Sequence, residues 1–159
     1  MIRIGYGFDA HRFALGRRLV LGGVGIQGET GLLGHSDADV LTHAVMDAVL
    51  GALALGDIGA WFPDSDPAFE NASSVKLLET ILQDDRLEGW RVGNLDCVVI
   101  AQKPKLAPYI PAMREKLATA LQTDTSAVSV KATTTEGMGF CGREEGIAAT
   151  AAILLENNA

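Results

Sequence analysis

GHSDADVLTHAVMD, running from Gly34 to Asp47, sets His35 and His43 with Asp37, Asp39 and Asp47 on or beside one predicted helix. Ser36, followed three residues later by Asp39, has the form of a capping box, so the helix is expected to begin at about Asp37. Val40, Leu41, Ala44, Val45, Ala48, Val49, Ala52 and Leu53 recur at helical spacing and predict a stripe that faces a core. On a second stripe Asp39, His43 and Asp47 fall four residues apart, which stacks them a turn above one another. His35 stands just before the cap, where free N–H groups and the positive helix end favour an anionic ligand. Taken alone, the same residues also suit a half-buried histidine flanked by solvated carboxylates.

Working outward toward the N-terminus, Ile2, Ile4, Tyr6 and Phe8 alternate with Arg3, Gly5, Gly7 and Asp9 in strand period. A strand carried two residues further points Asp9 and His11 to the side of Gly5 and Gly7, with space left beside the glycines. Asp9, His11 and His43 would then form a carboxylate and two imidazoles, a set that binds zinc with one position open for substrate or water. Asp47, one turn after His43, is placed to hold its ring. RRLVLGGVGI, Arg17 to Ile26, reads as a hairpin or a bulged strand, and Gly28 to Gly34 as a loop.

Downstream, GDIGAWFPDSDPAF, Gly56 to Phe69, reads as a loop whose length hints at function. Helices are predicted over Ser73–Gln83 and Pro111–Leu121, and strands over Trp90–Ala101, Val128–Ala132 and Ile147–Leu155. The last of these would also suit a helix on propensity. Interleaved strands and helices closed by a strand pair predict an α+β fold. The expected form is a mixed β-sheet with helices packed on one face, a β-α-β-α-β-β-type core with an inserted hairpin. The other face of such a sheet needs cover, which a homo-oligomer would supply.

A chain of 159 residues, 48% hydrophobic, supports a single domain over residues 1–159 whose core needs no disulfide or metal. Its formal charge of −7 argues against a nucleic-acid surface and against anionic membranes. An anionic substrate would therefore need local Lys or Arg, backbone amides or metal ions. MIRIGYGF opens as a strand rather than a signal peptide, and no apolar run reaches membrane-spanning length. Cys97 and Cys141 form no CxxC. A cytoplasmic, disulfide-free protein is expected.

KATTTEGMGFCGREEG, Lys131 to Gly146, carries a second chemistry. Hydroxyls of Thr133, Thr134 and Thr135 at a strand end suit phosphate oxygens, and Glu136 suits a hard cation such as Mg²⁺ bridging them. Arg143 could add a bidentate phosphate contact. The same residues fit equally well a glycine-rich turn between two antiparallel strands, with threonines present for β propensity.

Six ordered segments run through the chain: FDAH (Phe8–His11), GLLGHSDADVLTH (Gly31–His43), ALGDIG (Ala54–Gly59), FPDSDP (Phe62–Pro67), IAQKPKLAPYIPAMR (Ile100–Arg114) and VKATTTEGMGFCGREEGI (Val130–Ile147). Together they resemble the 2-C-methyl-D-erythritol 2,4-cyclodiphosphate synthase family of the non-mevalonate isoprenoid pathway. The resemblance implies a phosphorus–oxygen lyase that converts 4-diphosphocytidyl-2-C-methyl-D-erythritol 2-phosphate to the cyclic diphosphate and releases CMP. It implies zinc on Asp9, His11 and His43, and Mg²⁺ or Mn²⁺ between the substrate phosphates at Glu136. His35 and Thr134 match the positions that stabilise the transition state.

For the substrate, the resemblance assigns the methylerythritol phosphate to His35 and Ser36 with the loop of Phe62, Pro63, Asp64, Ser65 and Asp66. Asp9 and His11 lie on that side too, while Asp57, Ile58 and Gly59 match the ribose contacts. Ala101, Gln102, Lys103, Pro104, Lys105, Leu106 and Ala107 match the cytosine pocket, and Thr133, Thr134, Thr135 and Glu136 the diphosphate contacts. The family is a homotrimer with active sites between subunits, and Phe140 and Arg143 match the lining of a central cavity that can hold an isoprenoid diphosphate. Two departures stand out. Tyr6 replaces a common His or Gln, and Glu144 replaces a frequent glycine, which is expected to set a negative charge against Arg143. Two other functions would use parts of the same residue set: a metal-dependent phosphohydrolase, giving open-chain products, and a non-catalytic trimer that binds isoprenoid diphosphates. The intact AQKPKLA and TTTEG segments disfavour the second.

Overall fold

Alternation of apolar and small residues from Ile2 onward builds one long strand, and everything else is hung on it. In the computed structural model, which describes residues 1–28 and 30–157, this strand β1 spans Ile2–Leu15. Next come the hairpin strands β2 (Leu19–Leu21) and β3 (Val24–Ile26), a short β4 (Thr30–Leu32), and helices α1 (Val40–Ala52), α2 (Ile58–Trp61) and α3 (Ser74–Leu82). The chain closes with β5 (Trp90–Ile100), α4 (Ile110–Ala120), β6 (Val128–Thr133), α5 (Gly139–Gly142) and β7 (Gly146–Asn157). Glu29, inside the predicted Gly28–Gly34 loop, and residues 158–159 of the predicted domain lie outside the described residues.

The main sheet runs β4-β1-β7-β5-β6, with β5 and β6 parallel and the other pairs antiparallel, so the expected mixed α+β architecture is present. Its closing strands differ from the sequence reading. β6 and β7 are not neighbours: β7 threads between β1 and β5, and β6 takes the edge. A parallel β5–β6 pair needs a crossover, which α4 provides. The Thr133–Gly146 segment is therefore a crossing connection, not a turn between paired antiparallel strands. β4 is a second correction, three residues of strand within the expected loop, pairing Phe13 with Leu32.

Gly5 and Gly7 decide how α1 meets the sheet. A Cβ at Gly5 would lie 1.7 Å from the Ala48 carbonyl oxygen, and one at Gly7 2.0 Å from that of Ala44. The space expected beside the glycines is filled by the backbone of α1. Val40, Leu41, Ala44, Val45, Ala48 and Val49 are buried in the core that results.

Helix α1 starts at Val40 rather than Asp37, because Asp39 is its N-cap. The fully buried Asp39 carboxylate accepts from Thr42 N at 3.0 Å, Thr42 Oγ1 at 2.7 Å, Gly22 N at 2.9 Å and Gly23 N at 2.7 Å. Gly22 and Gly23, at φ +56° and +73°, form the left-handed β2–β3 turn, so Asp39 fastens the expected hairpin to the helix. It is thus taken out of the stack with His43 and Asp47.

The opposite face of β1 has no cover among the described residues. Ile2, Ile4, Tyr6 and Phe8 are 63%, 73%, 65% and 53% exposed. Among the described residues, no helix is long and apolar enough to cross a membrane.

Candidate active site

Strand β1 presents Asp9 and His11 on its glycine face, and α1, seated against Gly7, brings His43 over them. Asp9 Oδ2 lies 2.8 Å from His11 Nε2 and 3.0 Å from His43 Nδ1, and the two nitrogens are 3.2 Å apart. These are close to the spacing of about 3.3 Å between ligand atoms around a tetrahedral zinc. The three residues form a group that could hold a metal ion.

Hydrogen bonding fixes which ring nitrogens face inward. His11 Nδ1 is 2.7 Å from the Leu33 carbonyl, which only accepts, so Nδ1 carries the proton and Nε2 turns toward Asp9. His43 Nε2 is 2.9 Å from Ser74 Oγ, whose own proton goes to Asp37 Oδ1. Ser74 therefore accepts from His43 Nε2–H, leaving the Nδ1 lone pair toward Asp9. When both rings are neutral, two imidazole lone pairs and a carboxylate oxygen converge, a donor set suited to a cation.

Without a metal, a proton is the available cation. Burial pushes the Asp9 carboxyl up, yet hydrogen bonds from His11 and His43 and their charge outweigh burial and hold it down at about 2. Burial likewise lowers the His11 pKa, but the Asp9 hydrogen bond and charge leave it raised.

Asp47 does not hold His43, contrary to the expectation from spacing. Its carboxylate accepts from Ile58 N at 2.9 Å and so anchors α2; its pKa is raised, first by burial and further by the charges of Asp57 and Asp9. The partners that do hold His43 are Ser74 and, at 3.1 Å from Nε2, Ser36 Oγ. Sequence gave no sign of Asp37 or Ser74 beyond a helix start. Gly34 was also missed: a Cβ there would lie 3.1 Å from His11 Cε1 and 2.9 Å from Ala38 Cβ.

A cavity of about 220 Å³ opens over the metal group, lined by His35, Ser36, Ile58, Gly59, Phe62 and Asp64, with Met46, Phe69 and Leu77 also on its wall. The Gly56–Phe69 segment around it is not structureless. Asp57 caps α2 by accepting from Ala60 N at 3.0 Å, and Asp66 caps a one-turn 3-10 helix, Pro67–Phe69, through Ala68 N at 2.9 Å. His35 Nε2 donates to the Asp66 carbonyl at 2.9 Å, which ties this loop, with Pro63 and Ser65 in it, to the start of the helix segment. The Ser36 hydroxyl is turned toward His43 and Ala38 N.

The expected residues of Ala101–Ala107 and Thr133–Glu136 gather in a second cluster. Ala101 N donates to the Thr133 carbonyl at 2.9 Å, and Gly137 N to Gln102 Oε1 at 3.2 Å, joining the Ala101–Ala107 segment to Thr133–Glu136. Thr134 Oγ1 accepts from Glu136 N at 3.2 Å, with Glu136 at φ +53° and its side chain exposed. None of these residues lines the metal cavity. Register shows how the clusters relate: Asp9 pairs with Ala149, Ala149 with Val99, and Val99 with Ala132. Both lie at one end of the sheet, three strand spacings or roughly 14 Å apart.

Glu144 does not face Arg143. It pairs with Lys103 at 3.0 Å, whereas Arg143 Nε is 2.8 Å from Glu145 Oε1. Neither cysteine is poised as a nucleophile. Burial, with the Asp96 charge, pushes Cys97 up to about 12, and burial raises Cys141.

Residues 2–156 match the model of the YgbB family. The chain is 59% identical over 155 residues to a 2-C-methyl-D-erythritol 2,4-cyclodiphosphate synthase of Desulfitobacterium hafniense, covering 98% of each. Its fold is similar to the bifunctional IspDF from Campylobacter jejuni, with a TM-score of 0.94 and 45% identity. That match takes in 99% of this chain and 42% of the other, so the chain spans less than half of the bifunctional protein. It is also similar to Plasmodium falciparum IspF in a CDP complex, with a TM-score of 0.84, 35% identity and coverage of 99% and 97%.

Proposed function

Because the chain belongs to the YgbB family, whose curated relatives are 2-C-methyl-D-erythritol 2,4-cyclodiphosphate synthases, we propose that its two residue clusters are complementary halves of that catalytic site. The activity is cyclisation in isoprenoid precursor synthesis: the enzyme converts 4-diphosphocytidyl-2-C-methyl-D-erythritol 2-phosphate to the 2,4-cyclodiphosphate. A 2-phosphate oxygen forms a bond to the β-phosphorus, the bond from that phosphorus to the bridging oxygen breaks, and CMP departs with the oxygen. The nucleophile belongs to the substrate, in keeping with the absence of an activated cysteine among the described residues.

Asp9, His11 and His43 are the proposed zinc ligands, and the convergence of their donor atoms carries this reading. Glu136 is the proposed contact for Mg²⁺ or Mn²⁺, since a single exposed carboxylate suits a cation that keeps waters and substrate phosphates as its other ligands. When bound, the ions supply Lewis acidity and a template for the phosphate oxygens.

The chain's own residues position and neutralise. His35 and Thr134 offset charge developing at the β-phosphorus, and Thr133, Thr135 and Glu136 hold the diphosphate. Ser36 and the Phe62–Asp66 loop enclose the methylerythritol phosphate, Asp57, Ile58 and Gly59 meet the ribose, and Ala101–Ala107 receives cytosine. The CDP bound to the Plasmodium falciparum relative supports a cytidine nucleotide as ligand.

A metal half and a nucleotide half some 14 Å apart across the sheet, together with the exposed Ile2, Ile4, Tyr6 and Phe8, support a homotrimer with active sites between subunits. Phe140 and Arg143 are proposed to face its central cavity, where an isoprenoid diphosphate would bind. A single domain and a cytoplasmic location complete the reading.

The test is ³¹P NMR of the protein with substrate, zinc and Mg²⁺. Equimolar CMP and a cyclic diphosphate are expected; an open-chain phosphate product or an unchanged spectrum would overturn the assignment.

A further inference from the structure

We propose that Asp37 and Ser74 are positioning residues that set the tautomer and aim of His43, through a carboxylate–serine–histidine relay. The inference deepens the metal reading and rests on it. Ser74 is fully buried at the first position of α3, where a serine is ordinarily a solvated cap. The N-cap beside it, Ser73, makes no side-chain capping bond. Asp37 supplies that function from another segment: its Oδ2 accepts Ser74 N at 3.1 Å, while Oδ1 accepts the Ser74 hydroxyl proton and Asp39 N.

A carboxylate can only accept, so the direction of the Ser74–Asp37 bond is fixed, and with it that of the His43–Ser74 bond. The Ser74 proton is committed to Asp37, which leaves the oxygen lone pairs as the only thing His43 Nε2 can meet at 2.9 Å. His43 must then carry its proton on Nε2 and present a bare Nδ1 toward Asp9 and His11. Ser36 Oγ lies 3.1 Å from the same nitrogen and accepts from Ala38 N, so it is the second hydroxyl beside Nε2.

Asp9 alone would favour the opposite tautomer, since a carboxylate 3.0 Å from Nδ1 invites a proton there. The relay opposes that preference. It also links the ligand on α1 to the start of α3, so the segment from Asp37 and the helix after the active-site loop are registered by one carboxylate. Polar partners of metal-binding histidines typically change metal affinity 10- to 100-fold when removed.

The experiment pairs long-range ¹H–¹⁵N correlation spectra of the histidines with zinc competition against a chelator. In metal-free wild-type protein His43 is expected as the Nε2–H form; a majority Nδ1–H form would overturn the relay without reference to any variant. Ser74→Ala is expected to lower zinc affinity 10- to 100-fold, and Asp37→Ala to move His43 toward Nδ1–H by freeing the Ser74 proton. Circular dichroism of each variant checks that α3 is retained. Zinc affinity in Ser74→Ala equal to wild type would sink the relay. A wild-type protein that takes up no zinc, yet shows His43 as Nε2–H, would instead remove the metal reading and leave the relay standing.

Discussion

Gly7 and Ala44 touch backbone to backbone: a side-chain carbon on Gly7 would fall 2.0 Å from the Ala44 carbonyl oxygen. This approach sets the depth of α1 against β1, and His43, the residue before Ala44, reaches Asp9 only because of it. Gly7→Ala should destabilise the protein by about 3 kcal/mol or more, since backbone rather than a flexible side chain must yield. Urea unfolding would read the loss, and a zinc titration should show weakened binding in whatever fraction stays folded.

Asp39→Ala is expected to cost about 3 kcal/mol without direct damage to the metal group. It strands the buried N–H groups of Gly22 and Thr42 and the half-buried one of Gly23, and removes an N-cap. Hydrogen exchange should locate the lost protection at the β2–β3 turn and the first turn of α1. Loss of protection confined to β1 would contradict this account.

Asp47→Ala separates two roles that helical spacing alone conflates. Asp47 bonds Ile58 N and not His43, so zinc affinity should stay within about twofold of wild type, while CDP binding falls about tenfold as the α2 turn loses its anchor. Calorimetry with each ligand distinguishes the outcomes. A fall in zinc affinity with intact CDP binding would restore Asp47 as the partner of His43.

Metal-free protein should be most stable in mildly acidic solution. The Asp9 pKa is depressed from 3.8 to about 2, so its contribution, about 2 kcal/mol, is present above pH 3.8 and lost as pH falls toward 2. The His11 pKa is raised above 6.5, so its contribution is complete below 6.5 and is lost as pH rises through the raised value. Urea midpoints of chelator-treated protein across pH 2–9 should trace both flanks. Zinc should abolish the alkaline loss, because it takes the place of the His11 proton.

Much of this was legible in the sequence where periodicity is long and the contact is local. The stripe through Val40–Leu53 predicted α1, and the alternation from Ile2 predicted the strand that carries Asp9 and His11. What escaped was set by tertiary contact. Asp39 looked like an internal capping-box residue because nothing local reveals that Gly22 and Gly23 donate to it. Ser74 lies far along the chain from His43, and neither spacing nor propensity encodes their meeting. β4 is too short to show a period, and the separation of β6 from β7 depends on which edge the α4 crossover selects.

The proposed division of the site between Asp9–His43 and Thr133–Glu136 has a genetic consequence. In the proposed ring of subunits each site takes its metal half from one chain and its nucleotide half from the next, so two lesions on different halves need not both spoil the same site. Proteins carrying His43→Ala and Glu136→Ala, each inactive alone, should complement when unfolded and reassembled together. At equal mixing about a quarter of the sites would draw both halves from undamaged sequence, and activity should return to about that fraction. Two lesions placed on the same half should never rescue one another.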